Sequence, residues 1–355
     1  MLHEVGVVVD AATRRVLLQQ KPVIMLPLTP PPTIWLSNGG TSKGFTQLLV
    51  SDGSYVQSVQ LGLDYANGEG GLLFDGTYVW GVRRLKGTDS IVKFHPVTGA
   101  RLGGMSKGSS YRNAALNMAF DGTNYWYNER ANTSDVFDPR IYCIDVNLNP
   151  IRNITLGGAA VADTMIYDGV GNIWVGSSNT LYKVRASDGA GLGTVALDID
   201  LSINSLSIAT DKVAIWTIKN DWNGGNQRYY IRRTLISDRS LTSYGPFTGQ
   251  VPNRNIAWDG TYFYMVRSNP AGTVKYVEKL RVSDVTVVAS YALSNNTGYG
   301  VHFDGTNLWV QSAGIFGKIV KMTTSGAIIG EYPNVSDVIS LTSMWAFTNI
   351  VLPWP

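Results

Sequence analysis

An aspartate-led turn set between two apolar runs recurs along the chain, and its spacing restricts the fold more than any other feature. It stands in LLFDGTYVWG (72–81), MAFDGTNYWY (118–127), MIYDGVGNIWVG (165–176), IATDKVAIWT (208–217), IAWDGTYFYM (256–265) and VHFDGTNLWV (301–310). The aspartates are Asp75, Asp121, Asp168, Asp211, Asp259 and Asp304, at spacings of 46, 47, 43, 48 and 45 residues. A steady period in the forties, filled with short β runs, is that of propeller blades. In each copy an apolar strand ends at the Asp and a tight turn follows. A second strand then carries an aromatic residue: Trp80, Trp126, Trp174, Trp216, Tyr264 or Trp309. Two outer strands complete the unit, as in 90–104, 181–195 and 318–332.

The two ends of the chain predict how the ring closes. Residues 33–62 hold a Trp strand and two outer strands but no first strand, and SMWAFTNI (343–350) reads as that missing strand, with Phe347 in the place of Phe120 and Phe303. The expected fold is therefore all-β. It is a seven-bladed β-propeller of four-stranded antiparallel blades over 33–355, closed by the C-terminal strand completing the N-terminal blade. Pairing the termini leaves no open sheet edge in the ring. Residues 1–32 are read as a separate arm, a β-like segment followed by the Pro-rich spacer KPVIMLPLTPPP.

At these residues the chain resembles seven-bladed propellers with "DG..lWV" blades: streptogramin-lyase-like proteins, surface-layer YVTN-type propellers and the sensor propellers of two-component regulators. DGVGNIWVGSSNTLYKVR (168–185) is most similar to the last group. The resemblance spans about 33–350, rests on blade-forming residues, and implies a fold rather than an activity.

Charged residues make up 15% of the chain, against about 25% for an average globular protein. The net charge of +3 is scattered without Lys/Arg runs, so no nucleic-acid partner and no membrane insertion are expected. Cys143 is the only cysteine, which excludes an intrachain disulfide and predicts a buried, inert thiol. The start lacks a basic region followed by an unbroken apolar run, so ordinary secretion is not expected. With three histidines (His3, His95, His302) and five glutamates, no catalytic residue, metal site or cofactor is expected. The repeated aspartates are read as caps of their own turns, set around the periphery of one face, too far apart to share an ion.

Loop length points to where a ligand would bind. The first-to-second and third-to-fourth connections are tight and share one face; the others are long and share the opposite face, where recognition residues usually sit. The candidate ligand-binding residues there are Arg83, Tyr111, Arg112, Glu129, Trp222, Asn223, Arg254 and Arg267. The expected role is a non-enzymatic structural or binding protein of a phage virion, attached to other virion proteins through residues 1–32. It would present this face to a host-surface glycan or protein, and a homo-oligomer within the assembly is compatible with this. The alternatives are a metal-dependent lyase or lactonase and a bacterial sensor or scaffold propeller; outside a virion, the chain would be cytoplasmic or exported by a non-standard route.

Overall fold

The computed structural model describes residues 5–9, 16–20, 31–38, 44–60, 71–82, 89–106, 115–129, 140–157, 162–177, 179–197, 207–221, 228–248, 256–269, 273–293, 300–311, 318–333 and 345–348. The chain divides into two compact units, Met1–Pro31 and Pro32–Pro355. In the first, Val5–Val9 pairs antiparallel with Val16–Gln20, in register from Val5 opposite Gln20 to Val9 opposite Val16. The β-like segment read in the arm is thus a pair of antiparallel strands.

The second unit is a ring of seven four-stranded antiparallel sheets. Blade 1 joins Thr33–Asn38, Gly44–Leu49 and Tyr55–Gln60 to the C-terminal strand Trp345–Thr348. Blades 2 to 7 are continuous, each from its first strand to its fourth. They run from Leu72–Phe74 to Arg101–Ser106, Ala115–Phe120 to Pro150–Thr155, and Ala162–Tyr167 to Gly191–Ala196. The remaining three run from Ser207–Thr210 to Leu241–Thr248, Ala257–Trp258 to Val287–Ala292, and Gly300–Phe303 to Ile328–Pro333. First strands of neighbouring blades touch, which places them innermost.

Among the described residues there is no single core. The buried apolar residues form seven clusters, each drawn from two neighbouring blades, so that every blade interface is a small core of its own. The recurring aromatic is the largest member of most of them: Trp35, Trp80, Trp126, Trp174, Trp216 and Trp309 are at most 1% exposed. Each such ring contributes on the order of 4 kcal/mol of gross transfer free energy, before the entropy of ordering it.

The turn aspartate holds that ring in place. Its Oδ1 accepts two backbone N–H groups of the turn, as at Asp75 from Thr77 (2.7 Å) and Tyr78 (2.6 Å). Its Oδ2 accepts the indole N–H of the same blade, from Trp80 at 2.7 Å, Trp126 at 2.7 Å, Trp174 at 3.0 Å, Trp216 at 2.9 Å and Trp309 at 2.6 Å. In blade 6 the Tyr264 hydroxyl donates to Asp259 at 2.7 Å instead. Capping is as expected; the bond to the aromatic is not visible in the motif, although the five- or six-residue spacing encodes it.

A second repeated contact crosses from blade to blade. Opposite each aromatic, on the third strand, stands Gln47, Lys93, Cys143, Lys183, Arg233, Lys279 or Lys321. The lysines lie over the aromatic ring, as Lys183 over Trp174 at 5.2 Å and Lys321 over Trp309 at 5.1 Å. Their ammonium groups then donate to a carbonyl in the next blade: Lys93 to Val146 at 2.8 Å, Lys183 to Ile236 at 2.7 Å, Lys321 to Val50 at 2.5 Å. Gln47 reaches Pro96 in the same way at 2.7 Å.

Blade 3 differs at this position, where it carries Cys143. It occupies the cation's position, fully buried, and burial pushes its thiol up to about 12. Its neighbour on the fourth strand, Arg152, supplies the missing cation, lying 5.9 Å from the Trp126 ring and donating to Ala186 at 3.0 Å.

Ring closure uses the same parts with one omission. Lys321 bonds Val50, and Gly53 (φ +70°) leaves room for Tyr332, whose ring would lie 2.5 Å from an added Cβ. Trp35 is buried, yet its indole N–H has no partner among the described residues. The register Trp35–Ala346 and Trp309–His302 puts Thr348 where Asp304 stands in blade 7. Thr348→Asp is therefore expected to stabilise the ring by about 1 kcal/mol by giving the indole an acceptor. A thermal melt that is unchanged or lower would contradict the assignment.

Candidate functional site

The two faces of the ring differ as their connections require. On one, three or four residues separate first and second strands, and four to six separate third and fourth. On the other, second-to-third connections range from two residues, after Ser177, to ten, after Glu129, and blade-to-blade connections from six to eleven. The frame is constant, and length varies at one end of it.

Of the eight candidate residues on that end, Arg83, Tyr111, Arg112, Trp222, Asn223 and Arg254 lie outside the described residues. Glu129 closes the second strand of blade 3, opposite Ala115 and Arg140 in the backbone register. Arg267 lies near the end of the second strand of blade 6.

Arg267 Nε donates to Glu278 Oε1 at 2.6 Å, and its guanidinium lies 5.7 Å from the Tyr276 ring. Glu278 stands in the third strand between Val277 and Lys279, directed toward blade 5 by the same alternation that directs Met265 and Leu280 there. It is 1% exposed; the Ser290 hydroxyl is a weak second donor to Oε1 at 3.4 Å. Tyr229 of blade 5 is buried beside it, and burial first, then the Glu278 charge, raises its hydroxyl well above the usual tyrosine range. Glu278 Oε2 has no aligned hydrogen-bond donor among the described residues.

The result is a buried ion pair between two strands of blade 6, with the Tyr229 hydroxyl of blade 5 against the carboxylate. Sequence reading singled out Arg267 but missed Glu278 as its partner. The available signal was a carboxylate inside the strand KYVEKLR, at a position whose alternating neighbours are apolar.

His95 Nδ1 accepts the backbone N–H groups of Val97 and Thr98, both at 3.2 Å, and caps its turn. His302 is half-buried on the first strand of blade 7, opposite Trp309. Among the described residues no three His, Cys, Asp or Glu side chains are grouped to hold a metal. One expectation is corrected: the aspartate turns end innermost strands, so Asp168 and Asp211 border a common cavity instead of lying at the periphery.

No family model matches the chain, and no curated protein matches it. Solved structures do. A quinonprotein alcohol dehydrogenase-like protein from Bacteroides thetaiotaomicron aligns with a TM-score of 0.62 at 12% identity, over 90% of this chain and 78% of that one. A functionally unknown protein from Desulfotomaculum acetoxidans aligns at 0.62 and 12%, over 91% and 100%. A putative 6-phosphogluconolactonase from Bacteroides fragilis aligns at 0.61 and 12%, over 91% and 99%. At this identity the likeness establishes the propeller fold alone.

Arg267→Ala is expected to cost about 3 kcal/mol in chemical denaturation, because it leaves Glu278 buried and uncompensated. Replacing both partners by Met should recover most of that loss; a double variant as unstable as the single one would show that the pair is not the reason.

Proposed function

We propose that the protein is a non-enzymatic structural and binding propeller of a phage virion, a capsid- or tail-attached decoration, fibre or adhesin. Residues 1–32 attach it to other virion proteins, and the long-loop face is turned toward a host-surface glycan or protein. The observation that carries this reading is the contrast between the faces: three to six residues per connection on one, two to eleven on the other, over one repeated frame. A scaffold that repeats its interior and varies one set of loops suits display, since recognition residues work best on rigid supports. The low charge content and the Arg, Asn, Tyr and Trp of those loops suit hydroxyl-rich or peptide ligands. Five prolines between positions 22 and 32 suit a stiff spacer between anchor and ring.

A second reading, a metal-dependent lyase or lactonase working in the central channel, draws on the enzyme-like names of two structural neighbours. Mass spectrometry of purified virions separates the two. The expected result is peptides of this chain in the particle, lost on deletion of 1–32. Replacing residues 130–139 by a two-residue turn should leave incorporation intact and weaken host adsorption about tenfold or more. Absence from particles, or a stoichiometric metal whose chelation abolishes turnover of a lactone, would contradict the proposal.

A further inference from the structure

The innermost strands line an open cavity of about 410 Å³ at the tight-turn end, away from the variable loops. Its walls come from five consecutive blades: Leu73, then Met118 to Phe120, Met165 to Gly169, Thr210 to Lys212, and Trp258. The volume falls in the range of small-molecule sites, and the walls have their usual make-up, apolar and aromatic with few polar groups.

The polar groups at this cavity are mostly engaged. Asp168 accepts the N–H groups of Val170 and Asn172, the Asn172 side-chain amide and the Trp174 indole. Asp211 accepts from Val213, Ala214 and Trp216. The Thr210 hydroxyl donates to Ala214 and accepts from Lys212. Both carboxylates are thus turned into their own turns and surrounded by donors.

Lys212 is different. At the equivalent place the other turns carry Gly76, Gly122, Gly169, Gly260 and Gly305, all at positive φ. Lys212 adopts φ +66° without being glycine, a conformation that L residues with side chains hold at a cost. Its stem runs over Gly169, where an added Cβ would meet Cε at 3.3 Å. Its exposed ammonium makes no ion pair or hydrogen bond among the described residues. A strained position is thereby used to set a free cation beside an apolar, aromatic-walled cavity.

We infer that this cavity is a binding site for a small anionic amphiphile, an aryl or medium-chain carboxylate. Its apolar body lies among Met118, Phe120, Met165 and Trp258, and its carboxylate pairs with Lys212. This site is separate from the loop face and stands whether or not that face binds a host.

The test titrates the full chain with anilinonaphthalene sulfonate, then displaces it with octanoate or octylammonium. The expected result is one probe per chain, displaced by octanoate about tenfold more effectively than by octylammonium. Lys212→Gly should weaken octanoate about tenfold while leaving the melting temperature equal or higher, because glycine relieves the positive φ. The exposed charge reversal Lys212→Glu should invert the preference between the two displacers. No probe binding, equal displacement by the cation, or a Lys212→Gly variant that binds normally would overturn the inference. So would a lowered melting temperature in Lys212→Gly, since the lysine would then be there for packing.

Discussion

The hydrogen bond from a buried aromatic to the second oxygen of its turn aspartate fixes the position of that ring in blades 2 to 7. Everything else about the ring depends on that placement. Once Asp168 holds the Trp174 indole, the ring must project into the interface with blade 5, where Ile215 and Ile236 receive it. Lys183 can then lie over the same ring and reach the Ile236 carbonyl. One motif therefore closes a turn, supplies an interface core and aims a cation at the next blade. A ring of small interfaces needs such repetition, because each blade buries its apolar face only against its neighbours.

Much of this was legible in the sequence because it is periodic. The aspartate spacing predicted seven blades, and the missing first strand of blade 1 predicted that residues near Trp345 would pair with Thr33–Asn38. Other parts were not legible because they join residues far apart in the chain. No local pattern says that Gln47 meets Pro96 or that Arg152 replaces a lysine where Cys143 sits. Glu278 was passed over since charge in a strand normally faces solvent, and only the packing of blades 5 and 6 shows it buried. The turns were placed too far out because a turn looks peripheral in a linear sequence, whereas these end the innermost strands.

The same arrangement gives the two faces of the ring different characters. Groups on the tight-turn side are bound to one another, with Lys212 the conspicuous exception at its cavity. On the opposite side the strands end in connections of unequal length, and the Arg267–Glu278 pair joins the second and third strands of blade 6 near that end. Most interblade core residues lie on the strands, with Leu156, Leu197 and Leu293 added from the starts of blade-to-blade connections.

The most direct test of this division compares two variants by thermal unfolding. Asp168→Ala removes the acceptor of four N–H donors at a fully buried position. It is expected to cost about 3 kcal/mol, several degrees of melting temperature. Shortening the ten-residue connection after Glu129 to a tight turn is expected to change the melting temperature by only about a degree. If the loop variant were the unstable one and Asp168→Ala melted like the parent, the aspartate–aromatic bond would not be what holds the ring together.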